Sequence, residues 1–204
     1  MMIALNNQQG LNLSILDAAE TWKWLSVQLQ VAASSSHASM HLMTVATVDD
    51  HGHPDARTVV LRHADPVDRT IRFHSDVRCG KIAAIRRTPQ VALHWYLQTL
   101  QMQVRIAATA TVHHLDATAT TAWDASRPMS RACYTPSIAP GDVTSCFPPA
   151  PLAPAIDDTT GLAHFAVVVC RFDAFELLAL HASGHQRVRV HLDAVPVTWD
   201  VLAP

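Results

Sequence analysis

The order of the predicted elements indicates a mainly β protein of the α+β type, built as a closed or nearly closed antiparallel barrel with peripheral helices. A helical pattern comes first, many β-rich segments follow, one short helix lies between strands, and strands return near the end. The chain has six glycines, and none forms the glycine-rich pattern of a Rossmann or P-loop nucleotide site. A wound parallel sheet is therefore set aside.

The bulk composition favours one domain over residues 1–204. The chain has 204 residues, 49% of them hydrophobic, which is enough for one core and too little for two full domains. A net charge of −2 gives no broad positive field, so neither nucleic acid nor a membrane surface is an expected partner.

The cysteines and the longest apolar run point to a cytoplasmic protein. Cys79, Cys133, Cys146 and Cys170 have no CxxC spacing, so neither a zinc site nor a disulfide framework is expected. The run 165–170 is far shorter than the ~20 residues that cross a bilayer. The thirteen histidines are not spaced as metal ligands, and no metal is predicted.

The first half of the chain predicts a helix followed by a meander of strands. Ser14 resembles an N-cap with Asp17 at the third position, and a helix is predicted from about 15 to 32 within an N-terminal region 1–35. Polar and Gly/Pro-containing turns separate strands predicted over 41–48, 56–63 and 70–75. A short helix over 81–87 ends before Pro89.

The second half predicts further strands around a helical segment. Strands are predicted over 91–96, 101–113, 164–171, 175–181, 186–192 and 196–201. Residues 116–133 have a helical pattern with a break at Pro128. A proline-rich loop is expected over 136–156, since six of the twelve prolines lie between Pro136 and Pro154.

Basic and hydroxyl side chains cluster at predicted strand ends and at a helix start. The segments are Arg57–Arg62, Arg72–Ser75 and Gly80–Lys81. Arginine can donate two parallel hydrogen bonds to a phosphate, and a helix N-terminus offers free N–H groups. A phosphorylated mononucleotide is therefore the leading ligand. Because strand residues alternate faces, Arg57 and Arg62 are expected on opposite sides unless a bulge intervenes.

An ordered set of segments resembles the pyridoxamine 5′-phosphate oxidase superfamily of FMN-binding split barrels, most nearly its branch of oxidase-related FMN-binding proteins. The set runs from about Leu42 to Pro204 and comprises Ala46–Asp49, Arg57–Arg62, Arg72–Ser75, Gly80–Ala83, Val91–Tyr96, Gln101–Arg105 and Val201–Pro204. The resemblance implies a split barrel and a homodimer with FMN at the subunit interface.

The resemblance also implies which residues contact the cofactor. Arg57 and Lys81 match positions that hold the FMN phosphate, and Gln103 and Arg189 match positions near the flavin. The full cofactor set is Arg57, Thr58, Val59, Val60, His74, Ser75, Lys81, Gln103 and Arg189. Taken alone, a strand arginine is more often a surface or ion-pair residue, and Lys81 would be a solvated helix residue.

The substrate side departs from the true oxidases. They have lysine where this chain has Arg62, and an Arg-Leu-His-Asp-Arg motif where it has 185–189. By position, the expected substrate contacts are Arg62, Trp123, Arg127, Arg131, His185 and Arg187. No catalytic residue is identified.

The resulting functional hypothesis is an FMN-dependent oxidoreductase that acts on an unidentified small molecule. A non-catalytic flavin-binding or flavin-storage module is the alternative, and a haem-handling split barrel is a weaker one. The oxidoreductase and the storage module differ in whether the bound flavin goes through catalytic turnover.

Overall fold

The computed structural model describes residues 12–147 and 159–204. The helices of these parts are α1 (Ala18–Ser34), α2 (Gly80–Arg87), α3 (Ala117–Asp124), α4 (Pro128–Ala132) and α5 (Thr159–His164). The strands are β1 (Leu42–Val48), β2 (Pro54–Asp65), β3 (Thr70–Asp76), β4 (Gln90–Leu97), β5 (Met102–His113), β6 (Phe165–Arg171), β7 (Ala174–Ala179), β8 (Gln186–His191) and β9 (Thr198–Leu202).

Six antiparallel strands close into a barrel in the order β1, β2, β3, β6, β5, β4, and β4 pairs back to β1. Strand β5 pairs with β4 over residues 102–109 and with β6 over residues 109–113. Its first residues, 102–105, also pair with β7, from which β8 and β9 extend. The predicted split barrel with peripheral helices is confirmed.

Alternating apolar residues fill the barrel. On β1, Met43 and Val45 are buried while their neighbours are more exposed, and the same period recurs along β4 and β5. Leu25 and Leu29 of α1 join this core, and α1 packs on β2. Helix α2 packs on β1 and β5. None of the helices in the described parts is long and apolar enough to cross a membrane.

A β-bulge at Arg62 interrupts the alternation of β2. Leu61 pairs with Phe73 and His63 pairs with Arg72, so Arg62 is the extra residue. The buried positions on this part of β2 are Leu61 and Ala64, three residues apart rather than two. As a result, the adjacent side chains of Arg62 and His63 are both exposed outside the barrel.

A second apolar cluster lies outside the barrel, between α3 and β6. Trp123 packs its ring against Phe165 at a centroid distance of 5.2 Å and against Tyr134 at 6.1 Å. The ring of His74 meets the edge of Phe165 at 4.8 Å. This cluster fixes α3 beside β3 and β6.

Several predicted boundaries need correction. The first helix begins at Ala18 rather than near 15, because Asp17, not Ser14, is the N-cap and accepts a bond from the Glu20 N–H. The break at Pro128 is confirmed, since α3 ends at Asp124 and Pro128 opens α4. Helix α5 was not predicted. Residues 136–147 of the predicted loop hold no helix or strand, and 148–156 lie outside the described residues.

Gly161 of α5 is expected to tolerate no larger side chain. A Cβ at this position would lie 2.6 Å from Cη2 of Trp123, whose side chain is only 3% exposed and held in its cluster. We expect Gly161→Ala to lower the free energy of unfolding by about 1–3 kcal/mol in urea titrations. Gly80→Ala, whose Cβ would meet no atom within 4 Å, is the matched control. Equal stability of the two variants would contradict the packing described.

The protein is expected to lose stability as the pH falls from 7 to 4, because the unfolded chain protonates His74 more readily than the folded chain does. Burial, reinforced by the charge of Arg62, lowers the pKa of His74 from 6.5 to about 4. Between these values the unfolded chain binds the proton and the folded chain does not, so acidification favours unfolding, by up to about 3 kcal/mol. Urea titrations from pH 7 to pH 4 should show this loss. It should shrink in His74→Leu and persist in His37→Leu, where the histidine is exposed.

Candidate cofactor and substrate site

Lys81 and Ser75 meet where β3 leads into α2. The Lys81 Nζ donates to the Ser75 Oγ at 3.1 Å, and Ser75 is only 3% exposed. Cys79, the N-cap of α2, makes no side-chain cap hydrogen bond. An ammonium group, a hydroxyl and the N-terminal turn of an eight-residue helix therefore lie together, a donor set that suits a phosphate.

Arg57 is held against β1. Its Nη1 donates to the Val45 carbonyl at 3.2 Å and to the Thr47 Oγ1 at 2.8 Å, and its Nη2 forms an ion pair with Asp55. Since α2 packs on the same strand, the arginine and Lys81 both flank β1. The side chain of Arg57 points to the same side of β2 as Leu61, and Arg62 lies on the other side, as alternation predicts.

The remaining cofactor candidates divide between two faces. Thr58 is exposed on β2, while Val59 and Val60 are half-buried. His74 and Ser75 are adjacent on β3 and therefore point to opposite faces, so the structure separates them. Gln103 is half-buried on β5, where it pairs with Tyr96 and Leu178 in the neighbouring strands.

Arg187 and Arg189 are bound to one carboxylate. Arg187 donates from Nε and Nη2 to one oxygen of Glu176, and Arg189 donates the same pair of groups to the other oxygen, at 2.6–3.2 Å. The Nη1 of Arg105 lies 3.8 Å from the Oε2 of Glu176. Burial acts to raise the pKa of Glu176, but the two bound arginines outweigh it and hold the pKa below its usual value. Arg189 also lines a cleft of about 320 Å³ with Glu176.

A larger cavity of about 950 Å³ lies outside the barrel, between the β2–β3 wall, the end of α1 and the α3–α4 segment. We call it the cationic cavity. It is lined by Ala33, Ser34, Ser35, Ser36, His41, Arg62, His63, Arg72, His74, Ala117, Thr118, Thr121, Ala122, Ala125, Ser126, Arg127, Ser130 and Val167. None of these lining residues is an aspartate or glutamate.

The positive charge of the cationic cavity comes from its arginines. Within the described ranges, Arg62, Arg72 and Arg127 form no ion pair, and the buried Nε of Arg72 has no hydrogen-bond partner. The pKa of His74 is lowered to about 4, and burial together with the charge of Arg72 lowers the pKa of His63. Both imidazoles are therefore neutral near pH 7. The cavity is suited to bind an anion.

The six substrate candidates fall in three places. Arg62 and Arg127 line the cationic cavity. Trp123 is buried, and Arg131 lies over its ring at 5.3 Å while donating to the carbonyls of Ser126 and Asp124, so this pair braces the α3–α4 turn. His185 is exposed before β8, and Arg187 is bound to Glu176.

The sequence does not predict a role for His63, for Arg72 in the cavity, or for Glu176. Arg72 opens the segment Arg72–Ser75, but only the bulge and the position of α3 bring it into the cavity beside His63. Glu176 stands in an alternating strand, and its partners are 11 and 13 residues away in the sequence. The sequence pattern that could have predicted these ion pairs is an acidic residue in one strand, Glu176, followed by the pair Arg187 and Arg189 in the next strand.

Comparison with known proteins finds a family model and named enzymes that match part of the chain. The family model of the pyridoxamine 5′-phosphate oxidase FMN-binding domain matches residues 20–114. A pyridoxine/pyridoxamine 5′-phosphate oxidase of Chromohalobacter salexigens is 35% identical over 95 residues, which are 46% of this chain and 40% of that protein. Its counterpart in Edwardsiella ictaluri is 31% identical over 121 residues, 59% of this chain and 51% of that protein. The matches thus span about half or less of those enzymes.

Two solved structures share the fold over most of the chain. A pyridoxamine 5′-phosphate oxidase-related, FMN-binding protein from Nostoc punctiforme has a TM-score of 0.69 at 20% identity and covers 90% of this chain and 97% of its own. PhzG from Burkholderia lata, in complex with tetrahydrophenazine-1-carboxylic acid, has a TM-score of 0.65 at 15% identity, with 91% of each chain covered. Such identities support the fold alone. Over residues 20–114 the chain is thus similar to the pyridoxamine 5′-phosphate oxidase FMN-binding domain, and its split barrel is the fold of these solved structures.

Proposed function

We propose that the protein is a homodimeric FMN-dependent oxidoreductase that acts on an anionic small molecule. The observation that carries the proposal is the contact between Lys81 and Ser75 at the first turn of α2. In this contact the Lys81 Nζ lies 3.1 Å from the Ser75 Oγ, and both residues are expected to bind the phosphate. The segment that matches the family model, 20–114, contains both residues and also Arg57.

The residues present fit a terminal phosphate. Lys81 supplies a point charge, Ser75 a hydroxyl donor and Arg57 a planar fork, and the dipole of α2 favours a dianion at its start. Arg57 now pairs with Asp55, an exposed carboxylate, and a phosphate would replace that partner. When bound, FMN would supply hydride-transfer chemistry, while the protein supplies position and electrostatics. Gln103 and Arg189 remain candidates for contacts with the flavin ring.

The substrate is proposed to bind in the cationic cavity. Arg62 and Arg127 would hold an acidic group of the substrate by charge-assisted hydrogen bonds. Neutral His74 would add a hydrogen-bonding group without adding charge. The curated relatives are named for phosphorylated pyridines and PhzG was crystallised with a carboxylic acid, so both kinds of compound belong in a substrate screen.

The homodimer is proposed to form on the face of β1 and β4. Leu42 is 56% exposed and Tyr96 is 50% exposed. The register that pairs Thr44 with His94 brings these two side chains next to each other, and Tyr96 pairs with Gln103. Burying this apolar surface would place a flavin contact at the subunit interface, as expected for the family. A cytoplasmic location remains a prediction.

The double variant Arg57→Ala/Lys81→Ala is expected to weaken FMN binding at least ~100-fold, because each charge-assisted hydrogen bond contributes about 1.5–3 kcal/mol. Titration of FMN fluorescence measures the affinity. Arg86→Ala, at an exposed position of the same helix, is the matched control and should bind as the wild type does. Unchanged affinity in the double variant would show that the phosphate binds elsewhere.

Sedimentation velocity of the FMN-loaded wild type should give a dimer.

The redox function is tested on bound FMN that is photoreduced without oxygen and then mixed with oxygen in a stopped-flow instrument. We expect pyridoxine 5′-phosphate or an aromatic carboxylic acid, bound in the cationic cavity, to change the reoxidation rate at least about threefold. Arg127→Ala should abolish that change, and Arg86→Ala should keep it. A flavin-storage module would reoxidise at one rate with or without these ligands.

A further inference from the structure

The side chain of Arg72 carries a hydrogen-bond donor that no described residue satisfies. Its Nε is buried and has no acceptor, although the side chain lines a cavity rich in polar groups. A buried N–H group without an acceptor is destabilising, and buried donors in folded proteins are nearly always paired. An acceptor supplied by a bound molecule accounts for its position.

Other arginines of the same protein show what this edge of a guanidinium binds. Arg187 and Arg189 each direct Nε and Nη2 at the carboxylate of Glu176. Arg78 directs the same two groups at the carboxylate of Asp76, at 3.0 and 2.7 Å. In these three cases the Nε and Nη2 edge binds a carboxylate, whereas in Arg131 the same edge binds the backbone carbonyls of Ser126 and Asp124. For Arg72, no carboxylate of the described chain lines the cavity.

The charge in the cationic cavity also exceeds what one acidic group would neutralise. Arg62 and Arg72 extend from the β2–β3 wall, and Arg127 lies across from them at the start of α4. Three guanidinium groups thus face one space without a carboxylate among the lining residues. A ligand with a single acidic group would leave at least one of these guanidinium groups with no bound acid, although the charge of Asp65 acts on Arg72.

We propose that the substrate of the cationic cavity carries a carboxylate that binds the Nε and Nη2 edge of Arg72, in addition to the acidic group held by Arg62 and Arg127. The ligand class is therefore a small molecule with two separate acidic groups. This inference rests on the proposed function in that it takes the cavity to be the substrate site.

The test compares two ligands that differ only in the second acidic group. Phenyl phosphate has one, and 4-carboxyphenyl phosphate adds a carboxylate to the same ring. Isothermal titration calorimetry on FMN-loaded wild type is expected to give at least about tenfold tighter binding of 4-carboxyphenyl phosphate, the gain of one charge-assisted bidentate contact. Equal affinities for the two compounds would overturn the proposal.

Variants of Arg72 assign the preference to this side chain. Arg72→Met should reduce the preference to less than about twofold, and Arg72→Lys should keep part of it. Arg86→Met is the control and should keep all of it. Should Arg72→Met fail to fold, the wild type and Arg72→Lys still decide the question. A full preference in a folded Arg72→Met protein would also overturn the proposal.

The outcome is separable from that of the proposed function. Arg72 is not among the phosphate-binding candidates, so FMN affinity should be the same in Arg72→Met and wild type. Failure of the wild type to bind FMN would reject the flavoenzyme, whereas the ligand preference of the FMN-free protein would still test the cavity. Normal FMN binding without a ligand preference would reject the carboxylate site alone.

Discussion

Strand β5 pairs with three other strands, and this division of its hydrogen bonds both closes the barrel and attaches the outer strands that carry Glu176 and Arg189. Pairing with β4 and β6 closes the barrel, and pairing of residues 102–105 with β7 adds three further strands outside it. A slip of one residue would reverse every side chain of β5 between the core and the outer surface. The apolar alternation along β5 opposes such a slip, so the sheet carrying Glu176 and Arg189 has a defined register against Arg105.

Because side chains alternate between the two faces of a strand, residues that are neighbours in the sequence belong to different sites. Ser75 faces Lys81 at the start of α2, whereas His74 faces the cavity and the edge of Phe165. Arg57 turns towards β1, and Arg62 lies outside the barrel. Strands β2 and β3 therefore contribute side chains to the phosphate site on one face and to the cationic cavity on the other. The bulge at Arg62 adds the side chain of His63 to the cavity face.

The sequence predicts most of the strands, helix α2 and the break at Pro128, because residue alternation and the effects of proline act over a few neighbours. It also predicts that Lys81 and Ser75 belong to one site. It does not predict the bulge at Arg62, which depends on pairing with β3, nor the ion pairs of Glu176, which depend on the register of β7 and β8. Arg72 has the pattern of an ordinary surface residue until α3 is placed over it.

The arginines of this protein differ in whether a carboxylate already binds them. Glu176 is 15% exposed and holds Arg187 and Arg189, which keep its pKa below the usual value although burial acts to raise it. Moving Arg187 onto a substrate would leave a largely buried carboxylate short of a partner, which is costly. A substrate role for Arg187, inferred from position alone, therefore competes with its structural role. Within the part of the chain that the structure describes, the arginines of the cationic cavity have no such carboxylate partner, so substrate recognition is expected to depend on them.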